Sequence, residues 1–457
     1  MTEQGVRWTA DQVLALAPDD ASRKAGSRLG TSGLWSGAGS DGRAVWGQCR
    51  GSGRTPYRTV VDTTGPAYSC SCPSRKFPCK HALGLLSLWA GDPEGAAVPG
   101  AGEAPDWAET WLAGRRARAE AARTPAEAGP ADPEAARRRA ERRAARITAG
   151  AQELEQRLAD LLRGGLASAE QAGYGLGEET AARMVDAQAP GLAGRVRELG
   201  AIPGSGPGWP VRLLEECALT HLLDRAWLSA DRLPGPLAAT VRSRVGLSAP
   251  PEGPLLRDQW LVLAQYDAAD SRLTTRRIWL HGRDSGRTAL LLSFGAAGRA
   301  PRLALPVGAV LDAELRPYAS GGGLRAELVE QFAPPAPAGP PPQGAPVGAA
   351  LDAYGRALGE DPWLDAWPVT LADVVPARAE YGWQLADSEP YGTLPGAAPE
   401  REAIPLTRAA QQQPGLWRLI ALSGGAPVRV FGEIGHQGFT PLAAWSPDAP
   451  GETVPLV

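Results

Sequence analysis

Cys70-Ser-Cys72, six residues, then Cys79-Lys-His81 put four soft metal donors within twelve residues of a 457-residue chain that has five cysteines and four histidines. Three thiolates and one neutral imidazole are the donor set of a tetrahedral zinc site, at about 2.3 Å to sulfur and about 2.0 Å to nitrogen. Cysteines two apart on a strand share a face, so Cys70 and Cys72 can turn toward one ion from extended backbone. Pro73 ends the strand, the Ser74-to-Pro78 loop reverses the chain, and Pro78 holds Cys79 at the start of a helix that carries His81. With all four positions filled by protein, the ion is expected to be structural. Cys49 reads as a core residue beside Trp46, and Cys217 as buried bulk on a helix.

Three thiolates around a dication leave the site one unit negative, and Arg75, Lys76 and Lys80 are spaced to offset it. They form a basic edge and are the candidate contacts for a nucleic acid or a protein partner. A second basic run, Arg137 to Arg146, offers phosphate contact on nucleic acid as its functional reading, but it is interrupted by Glu141 and preceded by Glu134, so a solvated helix face is the favoured one. Gly204-to-Gly208 and Gly321-to-Arg325 lack the Gly-Lys-Ser/Thr ending of a phosphate loop. His221, His281 and His436 are isolated from one another, and no pair of carboxylates stands out as an acid–base couple. The chain is therefore expected to be non-enzymatic.

The elements that must position the cluster follow from periodicity. Ala44–Cys49, Tyr57–Asp62 and Ala67–Ser71 read as short strands, and Ala82–Trp89 has apolar residues at helical spacing. Two small helices precede them, and the stretch from Gly91 to Pro105, rich in Gly, Ala and Pro, reads as a linker. Helical segments are expected over 106–123, 132–163, 177–199 and 209–230. In the second, Ile147, Ala151, Leu154, Leu158 and Leu161 make one buried stripe. Beyond Pro250 the period moves toward two: Gln259–Gln265 and Leu273–His281 form a hairpin, with Thr288–Phe294 a third strand. A proline-rich linker over 334–346 and a helix from Ala349 to Leu358 come next. Leu416–Leu422 and Val428–Gly432 read as a second hairpin, and Trp260, Trp279, Trp417 and Trp445 as residues of apolar strands rather than base-stacking platforms.

The fold class is thus α+β and multidomain: a small zinc-stabilised ββα finger in an N-terminal domain (1–92), a helical domain (105–250), a β-rich domain (255–333) and a C-terminal α+β region (347–457). A net charge of −3 argues against a broad positive field that would coat nucleic acid, although it leaves room for a local patch. The N-terminus lacks the basic-then-apolar run of a signal peptide, and no stretch approaches the roughly 20 apolar residues of a membrane span. A cytoplasmic protein without membrane contact is expected, with reduced cysteines that serve as thiols and ligands.

Cys-x-Cys, a short spacer and Cys-x-His between a hairpin and a helix resemble the SWIM zinc finger. Cys70, Cys72, Cys79 and His81 match its four ligands, and the preceding strands from Tyr57 to Tyr68 match its usual approach. The resemblance covers roughly residues 40–90, and the overall layout is similar to long bacterial SWIM-finger proteins. It implies DNA binding or protein contact. It also implies a protein partner such as a MoxR-type AAA+ ATPase or a von Willebrand A-domain protein, since some relatives are encoded beside these. The leading expectation is a zinc-binding adaptor that makes mainly protein–protein contacts. The alternatives are DNA or RNA binding through the finger's basic edge, and an enzyme hidden in the C-terminal region.

Overall fold

The computed structural model describes residues 8–457 apart from 19, 42, 52, 54, 64–66, 75, 77, 101–102, 124–131, 167–168, 170–174, 248–249, 252, 270–272, 297–300, 302, 319–323, 334, 337–339, 381 and 390–400. Strands β1 (Trp35–Ser40), β2 (Ala44–Cys49), β3 (Tyr57–Asp62) and β4 (Ala67–Cys70) form an antiparallel sheet in chain order. Alternation sorts its side chains between two covers. Val45 and Val61 join Leu83 and Leu86 of α3 (Lys80–Ala90), while Trp46 and Val60 meet Ala108 and Leu112 of α4 (Asp106–Arg123). Cys49 lies an odd number of residues from Trp46, so it is buried on the α3 side and not beside that tryptophan. The expected linker after Gly91 is instead a packed strap: Asp92 accepts hydrogen bonds from the amides of Ala96, Ala97 and Val98, and Val98 is fully buried.

Helices α1 (Ala10–Ala15) and α2 (Asp20–Leu29) lie against α3. The α2–α3 crossing is close because each helix offers a glycine. A Cβ on Gly26 would stand 2.6 Å from Leu83 Cβ, and one on Gly84 would stand 2.5 Å from Leu29 Cβ. Overpacking of this kind costs about 1–3 kcal/mol. Gly84→Val is therefore expected to lower the thermal midpoint of the zinc-loaded protein by several degrees, and an unchanged midpoint would show that α2 does not dock as described.

Helices α5 (Pro133–Gly164), α6 (Gly175–Asp186), α7 (Pro190–Ala201), α8 (Trp209–Leu228) and α9 (Gly235–Val245) form a bundle. Ile147, Ala151, Leu154 and Leu158 are buried in its core with Met184, Leu192, Leu213 and Cys217, and Leu161 lies at the margin. The expected single helix over 177–199 is broken, since Pro190 sits in the first turn of a new one, where its missing N–H costs nothing.

Next comes a closed barrel of β5 (Leu256–Ala269), β6 (Leu273–Gly282), β7 (Thr288–Ala296), β8 (Val310–Pro317) and β9 (Arg325–Gln331), ordered β5-β6-β7-β9-β8 with only β7–β9 parallel. The expected hairpin and third strand are its first three strands. The remaining elements are α10 (Val347–Glu360), β10 (Trp367–Ala379), β11 (Gly382–Asp387), β12 (Ala403–Pro405), α11 (Arg408–Gln412), α12 (Pro414–Ser423), β13 (Val428–Gly435), β14 (Gly438–Ser446) and β15 (Ala449–Pro455). Their strands form one sheet ordered β12-β11-β10-β13-β14-β15. The stretch 334–346 is pinned at both ends, Ala336 bridging to Val310 and Ala345 to Leu371.

The second expected hairpin is not formed by the segments named for it. Leu416–Leu422 lies in α12, which Pro414 opens and left-handed Gly424 closes, burying Leu416, Leu419 and Ser423 at helical spacing. Val428–Gly432 pairs instead with β14. Trp417 is accordingly 63% exposed, whereas Trp260, Trp279 and Trp445 are buried.

The barrel's outer face and the C-terminal sheet share a core. Leu261, Leu263, Trp279 and Leu290 pack on Phe431, Leu442, Ala443 and Trp445, with the Trp279 and Phe431 rings edge to face at 6.2 Å. Five-stranded Greek-key barrels that bind oligonucleotides do so on the face of their second and third strands. Here the outward side chains Trp279 of β6 and Leu290 of β7 are covered by the chain's own sheet.

Candidate metal centre and recognition cleft

Cys70 ends β4, directly opposite Thr59 in register, and the Thr59 hydroxyl lies 3.2 Å from its Sγ. Cys72 lies beyond the strand, in a bend held by Ser71 N–H donating to Arg58 O and by Arg58 N–H donating to Ser71 Oγ. Cys70 and Cys72 do not share a strand face as expected: the bend, not strand alternation, brings the second sulfur round. Lys76 N–H donates to Ser74 Oγ within the return loop. Cys79 is the extended residue before α3, and His81 lies in the first turn of that helix.

The four donors meet. One ligand atom from each of Cys70, Cys72, Cys79 and His81 lies within 4.8 Å of all the others, and Cys70 Sγ stands 3.7 Å from His81 Nδ1. Tetrahedral bonds of about 2.3 Å to sulfur and about 2.0 Å to nitrogen put neighbouring donors about 3.5–3.8 Å apart, so the cage fits zinc. Cys79 and His81 are buried, Cys70 and Cys72 half-buried. Cys49 stays outside the cage, its thiol pushed up by burial first and then by Cys70.

The donors carry protons that zinc must displace. Hydrogen bonding from Cys70 first, and then from Cys79, holds Cys72 far below the ordinary thiol range, while contacts with Cys70 and Cys72 push Cys79 up. Burial disfavours the His81 imidazolium, but hydrogen bonds to Cys70 and Cys72 outweigh it and raise the group to about 9. Zinc takes thiolates and neutral imidazole, so its binding releases protons from this cage.

Tyr57 and Thr59 belong to the site although the cluster's spacing did not reveal them. The Tyr57 ring lies 4.7 Å from the His81 ring, tilted by 34°. The available signal was strand pairing: counting back across the turn from Cys70 reaches Thr59, and two residues earlier on the same face stands Tyr57.

One wall of the cage opens on a cleft of about 570 Å³ between α2 and the finger. Ala21, Ala25 and Leu29 line the helix side, and Arg50, Lys76 and Lys80 line the finger side, with Cys72 and His81 between them. None of the described lining residues is acidic. Lys76 and Lys80 line one cleft, Arg50 joins them there, and Arg75 lies outside the described residues. A second cleft, about 460 Å³, is lined among others by Tyr266, Asp267, Arg276 and Glu433. These groups are occupied with one another: Arg276 forks onto Asp267, and Tyr266 O–H and Trp279 Nε1–H both donate to Glu433 at 2.8 Å.

No helix among the described residues is long and apolar enough to cross a membrane. A family model for the SWIM zinc finger matches residues 57–90, and one for the SWIM-associated four-helix bundle domain matches residues 142–245. No curated protein and no solved structure matches the chain. The finger match ends at the last residue of α3 and contains all four ligands, and the bundle match runs from the middle of α5 to the end of α9. The chain carries a zinc-binding SWIM finger over residues 57–90 and a SWIM-associated helical bundle over residues 142–245.

Proposed function

We propose that the protein is a cytoplasmic, non-enzymatic recognition protein whose finger, held in shape by zinc, docks an acidic segment of a partner protein in the cleft beside α2. The observation that carries this reading is the division of the cleft into an apolar wall, Ala21, Ala25 and Leu29, and a basic wall, Arg50, Lys76 and Lys80. A segment with apolar and acidic faces would match both walls at once, and zinc would act by fixing the distance between them. MoxR-type ATPases and von Willebrand A-domain proteins are the first partners to try.

The test is affinity purification from the native cell with three forms: wild type, Cys79→Ser and Lys76→Glu/Lys80→Glu. The charge-reversed form is expected to keep its zinc and its thermal midpoint and to bind a recovered partner at least tenfold more weakly. Recovery of the same partners by all three forms would sink the proposal. The three cations also favour a second reading, a nucleic-acid backbone along the same edge. Duplex binding that weakens steeply with salt and is lost in the same variant would support it over the first.

A further inference from the structure

The arginine run on α5 is sorted by the fold in a way that the sequence hides. Arg137 pairs with Glu141 and Arg138 with Glu134, each across one helical turn. That leaves Arg139, Arg142, Arg143 and Arg146, at the i, i+3, i+4 and i+7 positions of a single helix face, and all four line one groove of about 620 Å³ against the α6–α7 turn. Arg139, Arg142 and Arg146 are exposed and make no ion pair among the described residues. Arg143 is half-buried: its Nη2 donates to Gly246 O, and its Nε is buried without a partner. The opposite wall carries Val185, Gln188 and Pro190, with no carboxylate among the described lining residues. Gln188 is held there with φ 62°, a left-handed conformation uncommon outside glycine.

Four like charges on one side of a groove, with the helix's own glutamates engaged elsewhere, repel one another unless an anion lies between them. We propose that this groove binds the phosphate backbone of a nucleic acid, independently of the finger. A phosphodiester chain asks only for charge and for forked donors, which guanidinium supplies better than ammonium. An acidic peptide would also need an apolar seat, and this groove offers only Val185 and Pro190, unlike the cleft beside α2. From Arg139 to Arg146 the helix rises about 10 Å. A duplex carries about six phosphates over that length, enough to engage every arginine. The barrel face that could have served instead is already covered by Phe431 and Trp445.

The experiment uses the full zinc-loaded chain and a labelled 20-base-pair DNA duplex, followed by fluorescence anisotropy. Three neutralised phosphates predict a salt slope near −2.7, a loss of about 40-fold in affinity between 50 and 200 mM salt. Arg139→Gln/Arg142→Gln/Arg146→Gln, at exposed positions, is expected to keep its thermal midpoint and zinc content and to bind at least 100-fold more weakly at low salt. The paired-arginine control, Arg137→Gln/Arg138→Gln, should bind within about threefold of wild type. Equal binding by the triple variant overturns the proposal, with loss in Lys76→Glu/Lys80→Glu alone assigning the nucleic acid to the finger. Tighter binding of a polyglutamate peptide than of the duplex, abolished in the triple variant, also overturns it, in favour of an acidic protein. Neither result bears on whether the finger docks a partner protein.

Discussion

Cys79→Ser, or removal of zinc by a chelator, is expected to unfold the segment from Tyr57 to Ala90 while leaving the bundle folded. Cys79 is both a ligand and a member of the N-terminal core, packed with Val45, Val61, Leu83 and Leu86. The described hydrogen bonds of the return loop include Ser71 with Arg58 and Lys76 with Ser74. The metal joins β4 to α3 across this loop. In zinc-finger peptides the ion supplies on the order of 10 kcal/mol of folding free energy, most of what a module of this size has. Hydrogen exchange read by mass spectrometry should show amide protection lost over 57–90 and kept over 142–245. Cys49→Ala, outside the cage, should retain one zinc per chain. A zinc-free protein with unchanged protection in α3 would refute the structural role. Acid should release the ion as chelation does, because the thiols and His81 regain their protons.

The finger was legible because metal chemistry restricts residue type and spacing more tightly than packing does. Four ligands in twelve residues specify a strand, a reversal and a helix start, and those elements are where the sequence put them. The fate of Leu416–Leu422 shows the opposite case. A seven-residue apolar run with tryptophan suits strand or helix equally, and what decided it was Pro414 and Gly424 at its ends, signals that a period count passes over. Pro190 was a visible helix start of the same kind. The closed barrel and its seam with the C-terminal sheet depend on pairings such as β5 with β8, separated by two intervening strands, and nothing local in a strand names its partner.

The α5 arginines illustrate why charge runs resist reading from sequence alone. As a string, Arg137 to Arg146 has Glu134 before it and Glu141 in its middle and so looks neutralised. On the helix, Glu134 pairs with Arg138 and Glu141 with Arg137, and the four arginines left over line the groove on the α6 side, where no acid among the described residues meets them. A helix period applied to charges, as it was to Ile147, Ala151 and Leu154, would have separated the two sets. The chain then has two basic surfaces of different kind, one with an apolar wall beside the zinc and one nearly all charge on the bundle.

Asp224→Asn is expected to stabilise the bundle at neutral and alkaline pH. Asp224 lies on α8 with no exposure to solvent, and neither carboxylate oxygen has a hydrogen-bond partner. Burial first, and then the charge of Glu155, push its pKa up from 3.8 to about 8. Glu155 itself holds His221 at 2.8 Å. Below about pH 4 both folded and unfolded chains carry the Asp224 proton, and the group is neutral to stability. Between about 4 and 8 the unfolded chain gives the proton up and the folded one keeps it, so folding takes up a proton and stability falls as pH rises. At pH 7 the deficit has a ceiling of about 4 kcal/mol, reduced by whatever water reaches the carboxyl. The wild-type thermal midpoint for the bundle should therefore decline from pH 5 to pH 8 and level off above. Asn, which has nearly the same shape and no proton to lose, should flatten that decline and melt several degrees higher at pH 8, with little difference at pH 4. Parallel pH profiles for the two proteins would mean that Asp224 finds a partner in solution, and its burial would then carry no penalty.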